Sequence, residues 1–181
     1  MKQNKFPIYI AGDRIFSNSQ KALSLQNEKN LGEKTQGKVV YSSFEAFYLV
    51  ETQKAQALNT KTNKILKEHE LITILSKNNK DFLTKYQVFR ALKNKGYLVK
   101  TGSKFGAEFR VYSRPKNLKD FSDNHPHAKW LVYPIKQSEK SNWNEFISKN
   151  RIAHSTGKKL LLAIVDSEDN VLFYEVGWMK V

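Results

Sequence analysis

The sequence predicts a mixed α/β protein of two domains, and three features carry that expectation. Short apolar stretches rich in Val, Ile, Leu and Tyr alternate with stretches whose apolar residues recur at helical spacing. One of them, residues 160–165, is continuously apolar, as a strand covered on both faces must be. The polar run Ser76-Lys77-Asn78-Asn79-Lys80-Asp81 separates two patterned halves and puts a boundary near residue 83. The expected organisation is a small N-terminal mixed α/β domain (residues 1–83) and a C-terminal α/β domain (residues 84–181).

Taken in order, residues 8–16 read as two short strands around a Gly12-Asp13 turn. Residues 17–38 are too polar to assign. Val39-Val40-Tyr41 reads as a strand. Ser42 and Glu45 have the spacing of a capping box, and the helix they open carries Phe44, Phe47 and Tyr48 on one face. After a polar segment, residues 65–79 suit a helix with Ile72 and Leu75 inward. Thr84 and Gln87 form a second capping box, Val88, Phe89 and Leu92 repeat at helical spacing, and Gly96 closes the helix. Residues 97–100, 108–112 and 130–135 then read as strands. Asn142 and Glu145 suit the start of a helix with Trp143, Phe146, Ile147 and Asn150 on its inner stripe. After the strand 160–165, the acidic turn 166–170 leads to a last strand, 171–178.

Composition narrows the function classes. Lys and Arg number 31 against 17 Asp and Glu, a formal charge of +14, which favours a polyanionic partner through phosphate neutralisation. There is no cysteine, so disulfides, zinc–thiolate sites and cysteine nucleophiles are excluded. No apolar run approaches the ~20 residues of a membrane-spanning helix. The first residues lack the apolar core of a signal peptide, and the expectation is a soluble cytoplasmic protein that does not meet a membrane.

The chemistry sits in three segments: Gly102-Ser103-Lys104-Phe105-Gly106-Ala107-Glu108-Phe109-Arg110-Val111-Tyr112, His127-Ala128-Lys129-Trp130-Leu131-Val132-Tyr133, and the run from Arg151 to Ala163 that contains His154-Ser155-Thr156-Gly157-Lys158-Lys159. They place a Tyr, a His and a Lys beside or at the end of expected strands. RNA supplies its own nucleophile, the 2′-hydroxyl. An enzyme that cleaves it needs a proton acceptor, a proton donor and a positive charge for the phosphorane-like transition state, and no metal or other cofactor. Period-two geometry puts Tyr112 on a face with Glu108 and Arg110. His127 and His125 both lie in the loop before the strand, and both are candidates by their near-neutral pKa.

In order and context these segments resemble the archaeal-type tRNA-splicing endonucleases, in their catalytic subunit. The match covers residues 85–181, and residues 39–58 more loosely. The resemblance implies a nuclease-like C-terminal domain with a central mixed sheet. It implies cleavage of precursor tRNA at exon–intron junctions within a bulge–helix–bulge, leaving 2′,3′-cyclic phosphate and 5′-hydroxyl ends. It makes Tyr112, His127 and Lys158 the catalytic residues, selecting His127 over His125 and, three residues after Ser155, Lys158 over Lys159. Adjacent strand residues point to opposite faces, so the two lysines do not serve one site. Arg151 is expected to stack on an unpaired intron base, and His154 to be structural. The acidic turn, through Asp166, Glu168 and Asp169, is expected to dock on a neighbouring subunit, and the apolar last strand to pair across a dimer. One triad per chain and two junctions per intron imply a tetramer, either four copies of this chain or two catalytic and two structural chains. Two rivals remain: a non-catalytic RNA-binding subunit of such a complex, and a Mg²⁺-dependent nuclease of the restriction type, for which Asp166 and Glu108 do not make a convincing acidic pair.

Overall fold

The computed structural model describes residues 5–113 and 127–179. His125, the alternative acid, and the last two residues of the chain lie outside them. The chain divides into two compact units, Met1–Phe82 and Leu83–Val181. Each is built on a mixed sheet with helices, the architecture the sequence predicts.

In the first unit, β1 (Phe6–Ala11) and β2 (Arg14–Ser17) form a hairpin whose turn uses Gly12 at a φ of 60°. The sheet has six strands in the order β3-β4-β2-β1-β5-β6, with β3 Glu33–Thr35, β4 Lys38–Val40, β5 Ala55–Asn59 and β6 Lys64–Ile65. The parallel β1–β5 pair is joined across α2 (Ser43–Glu51), which starts with the expected capping box. Ser42 Oγ accepts the Glu45 N–H at 3.2 Å, and the Glu45 carboxylate accepts the Ser42 N–H at 3.0 Å. Phe44 and Phe47 of that helix are buried and Tyr48 is half-buried. The helix α1 (Gln20–Lys29) occupies the stretch that composition left unassigned. Ser19 caps it, and Ala22 is its one fully buried residue. The expected third helix is shorter, α3 (Glu68–Ser76), and buries Leu71 and Leu75, with Ile72 half-buried.

The helix α4 (Phe82–Asn94) begins two residues before the expected Thr84 cap. Phe82 accounts for the earlier start. It is buried, with its ring stacked on Phe44 at 5.3 Å and edge-on to Phe47 at 5.7 Å. Gln87, the other half of the expected capping box, has a buried side-chain oxygen with no hydrogen-bond partner.

The second sheet has five strands in the order β11-β10-β9-β8-β7: β7 Leu98–Thr101, β8 Phe109–Tyr112, β9 Trp130–Lys136, β10 Lys159–Val165 and β11 Val171–Val176. The pair β9–β10 is parallel and the others are antiparallel. The central strand β9 buries Leu131, Val132 and Tyr133 in succession, so both faces are covered. On one face Phe109 meets Phe89 of α4, with ring centroids 5.9 Å apart. On the other, Leu131 and Leu160 pack with Ala153 of α5 (Trp143–Ser155), the crossover helix between β9 and β10. Asn142 caps α5, accepting the Asn144 N–H at 2.8 Å. The inner stripe of α5 differs from expectation. Phe146, Lys149, Asn150 and Ala153 are turned inward, whereas Trp143 and Ile147 are 77% and 51% exposed. Packing of small Ala153 against Leu160 sets the rotation of the helix, and this carries the larger apolar residues to its flank.

Candidate active site

Strand direction decides what meets at each end of the second sheet. β8 runs antiparallel to β9, and β9 runs parallel to β10. The C-terminal end of β8 and the N-terminal ends of β9 and β10 therefore share one edge. A single residue, Lys129, ties the three together through its backbone. Its N–H donates to the Val111 carbonyl at 2.8 Å, and its carbonyl accepts the Lys159 N–H at 2.9 Å. Tyr112 directly follows Val111, Lys158 directly precedes Lys159, and His127 stands two residues before Lys129.

Register also settles the face. Arg110 is opposite Leu131, and Leu131 is opposite Leu160. Tyr112 and Lys158 stand two positions from Arg110 and Leu160, so by alternation they share the face on which α5 packs. Lys159 belongs to the other face, where it is ion-paired with Glu175.

The side chains are held to different degrees. Lys158 is half-buried. Its ammonium donates to the Thr156 carbonyl at 2.7 Å and lies 4.6 Å from the centroid of Phe105, in the short 3₁₀ turn Ser103–Phe105 between β7 and β8. An aromatic face and one carbonyl leave the ammonium further donors for an anion. The Lys158 N–H is itself fixed, donating to the Ala153 carbonyl at 2.8 Å. Tyr112 is half-buried, and the Arg110 guanidinium lies 5.8 Å from its ring centroid. His127 is exposed, and the buried Ala128 after it anchors the entry to β9.

Arg151 is exposed on the last turns of α5, the helix that ends at the same edge. It lines a largely apolar groove with Phe146, Ile147, Asn150, His154 and Trp178. His154 and Trp178 are in ring contact at 4.4 Å. The acidic turn lies at the far end of β10, with the seven strand residues between it and Lys158, a separation of about 26 Å at ~3.3 Å per residue. Its first carboxylate builds the turn. Asp166 accepts the Asn170 side-chain amide at 3.0 Å and the N–H groups of Asn170 and Glu168 at 2.8 and 2.9 Å. The hydrogen bonds from Asn170, the side-chain one foremost, hold its carboxyl below the ordinary value. Glu168 and Asp169 are exposed. Glu108 is ion-paired with Lys85 of α4 at 2.8 Å.

Comparison with known proteins places the chain in a family. Residues 82–173 match the family model of the tRNA intron endonuclease, catalytic C-terminal domain. The tRNA-splicing endonuclease of Pyrococcus abyssi is 34% identical over 173 residues, covering 95% of each chain. The chain belongs to the tRNA-splicing endonuclease family. A member from Nanoarchaeum equitans is 41% identical over 139 residues, covering 75% of this chain and 86% of the relative. One from Methanococcus vannielii is 34% identical over 175 residues, covering 97% and 95%. The relatives thus extend across both units, while the family model falls almost wholly on the second.

Two residues at this edge carry no signal in the sequence. Phe105 sits under the Lys158 ammonium, and Lys129 bridges three strands through backbone atoms alone, so its side-chain type is silent about the role. Among the described residues no helix is long and apolar enough to cross a membrane.

Proposed function

We propose that this chain cuts precursor tRNA at its exon–intron junctions without a metal, using Tyr112, His127 and Lys158 at the shared edge of β8, β9 and β10. The observation that carries the reading is the convergence of these three positions through the backbone of Lys129. Tyr112 takes the 2′-hydroxyl proton on its phenolic oxygen as it passes its own proton to solvent water. The 2′-oxygen attacks the adjacent phosphorus, the bond to the 5′-oxygen breaks, and His127 as imidazolium gives that oxygen a proton. Lys158 holds the negative charge that gathers on the non-bridging oxygens, from a half-buried position where that charge acts more strongly than in bulk water. The products are a 2′,3′-cyclic phosphate and a 5′-hydroxyl. Arg151 stacks on an unpaired base beside the site. The catalytic domain comprises residues 84–181. Two active chains are held in a tetramer, of this chain alone or with structural chains, to which Glu168 and Asp169 contribute a docking turn shaped by Asp166.

The test is cleavage of an intron-containing precursor by the purified chain in excess EDTA, with analysis of the end groups. Intact cleavage with cyclic-phosphate and 5′-hydroxyl ends is expected. Activity lost in EDTA and restored by Mg²⁺, or products with 5′-phosphates, would refute the mechanism.

A further inference from the structure

We propose that Glu175 is a positioning residue for cleavage, holding the starts of β9 and β10, and with them His127 and Lys158, from the outer strand β11. The inference rests on the reading of the site above. The Glu175 carboxylate accepts the Trp130 indole N–H at 2.7 Å and is ion-paired with Lys159. Trp130 and Lys159 are the first residues of β9 and β10, and they are register partners. Lys159 follows Lys158 directly, and Trp130 stands three residues after His127. In the strand order β10 separates β11 from β9, so the Glu175 side chain reaches across one strand to join the two that carry the site.

The clamp acts from behind. Glu175 is opposite Leu161 in the β10–β11 register, which places it on the face of Lys159 and away from that of Lys158 and Tyr112. It therefore fixes the strand ends without occupying the space a phosphate needs. The indole is further confined by Tyr97, edge-on at 5.7 Å, and by the Lys129 ammonium 4.3 Å from its ring centroid. The hydrogen bonds from Lys159 and then Trp130 hold the Glu175 carboxyl below its ordinary value. An exposed ion pair of this kind contributes little to global stability. Displacement of a reacting group by about 1 Å can cost ~10²-fold in rate. The consequence of losing the clamp is thus expected in catalysis and not in folding.

Single-turnover cleavage of precursor tRNA tests this, with the saturated rate and the half-saturating enzyme concentration measured separately. Glu175→Ala is expected to lower the saturated rate about tenfold and to change half-saturation by less than about twofold. Glu175→Gln, whose amide oxygen still accepts the Trp130 N–H, regains most of the rate. Trp130→Phe, which lacks that N–H, is expected to slow cleavage as Glu175→Ala does, and the double variant Trp130→Phe/Glu175→Ala to be no slower than either. A wild-type rate in Glu175→Ala, equal losses in the Ala and Gln variants, or additive losses in the double variant would overturn the proposal. Should Glu175→Ala fail to fold, the Trp130→Phe and Glu175→Gln results decide it. Lys158→Ala in the same assay reports on the site itself: undiminished cleavage there rejects the catalytic reading, whatever Glu175 does.

Discussion

Replacing Lys158 by Met separates the charge from the rest of the side chain. Met keeps an unbranched apolar stem of similar length over the Phe105 ring and removes the ammonium that lies 4.6 Å from it. What the folded protein loses is small. A cation–π contact at a partly exposed position contributes about 0.5–1 kcal/mol, and the bond to the Thr156 carbonyl adds about 1 kcal/mol net, offset by the easier burial of Met. What the reaction loses is larger. Removing one group aimed at developing oxyanion charge costs about 10²–10³ in rate, or roughly 2.7–4 kcal/mol of transition-state stabilisation. The variant should therefore melt within a few degrees of the wild type and yet cleave at least about a hundredfold more slowly at saturation. Single-turnover cleavage in excess EDTA, paired with thermal unfolding followed by circular dichroism, measures both. A Lys158→Met enzyme that cleaves within about threefold of wild type while folded would remove this residue from the chemistry.

The other predictions concern the remaining members of the site and the assembly. His127→Ala should slow single-turnover cleavage about 10²–10⁴-fold, with His125→Ala near wild type; the opposite pattern moves the acid to His125. Tyr112→Phe keeps the half-buried ring and removes its hydroxyl, so it should slow cleavage with RNA affinity unchanged, and a full rate would exclude the hydroxyl from the mechanism. Light scattering is expected to show a species of about four chains, from this chain alone or mixed with a structural subunit, and neutralising Asp166, Glu168 and Asp169 together to weaken it, more so at high ionic strength, where the remaining attraction is screened. A tetramer indifferent to these changes removes the turn from the interface. Asp166 also sets a direction in pH. Its carboxyl is held below the ordinary value, so its contribution to turn order is full above the usual Asp range and lost as pH falls through the depressed value, which the Asn170 amide resonances report.

Local features were legible in the sequence wherever the signal is itself local. The Ser42–Glu45 capping box, the Gly12 hairpin and the unbroken apolar run of β10 each depend on neighbours a few residues apart, and each is present in the structure. Alternation put Lys158 and Lys159 on opposite faces, because parity along a strand needs no knowledge of its partners, and the family resemblance chose Lys158 between them. Other elements depend on distant chain. β5, with the sequence Ala-Gln-Ala-Leu-Asn, has little strand character and is a strand because it pairs in parallel with β1, about fifty residues away. α1 is polar along most of its length, opens on one capping serine and fully buries only Ala22. The rotation of α5 follows from Ala153 on Leu160, so its largest apolar residues mislead when read by period alone. The sequence by itself determined which residue types could cut RNA and which neighbours along a strand share a face. Only the tertiary structure decided that the end of β8 meets the starts of β9 and β10, that Phe105 lies beneath Lys158, and that Glu175 reaches Trp130. Register between strands joined by long connections is set by side chains packing across the sheet, and no short window of sequence contains both partners.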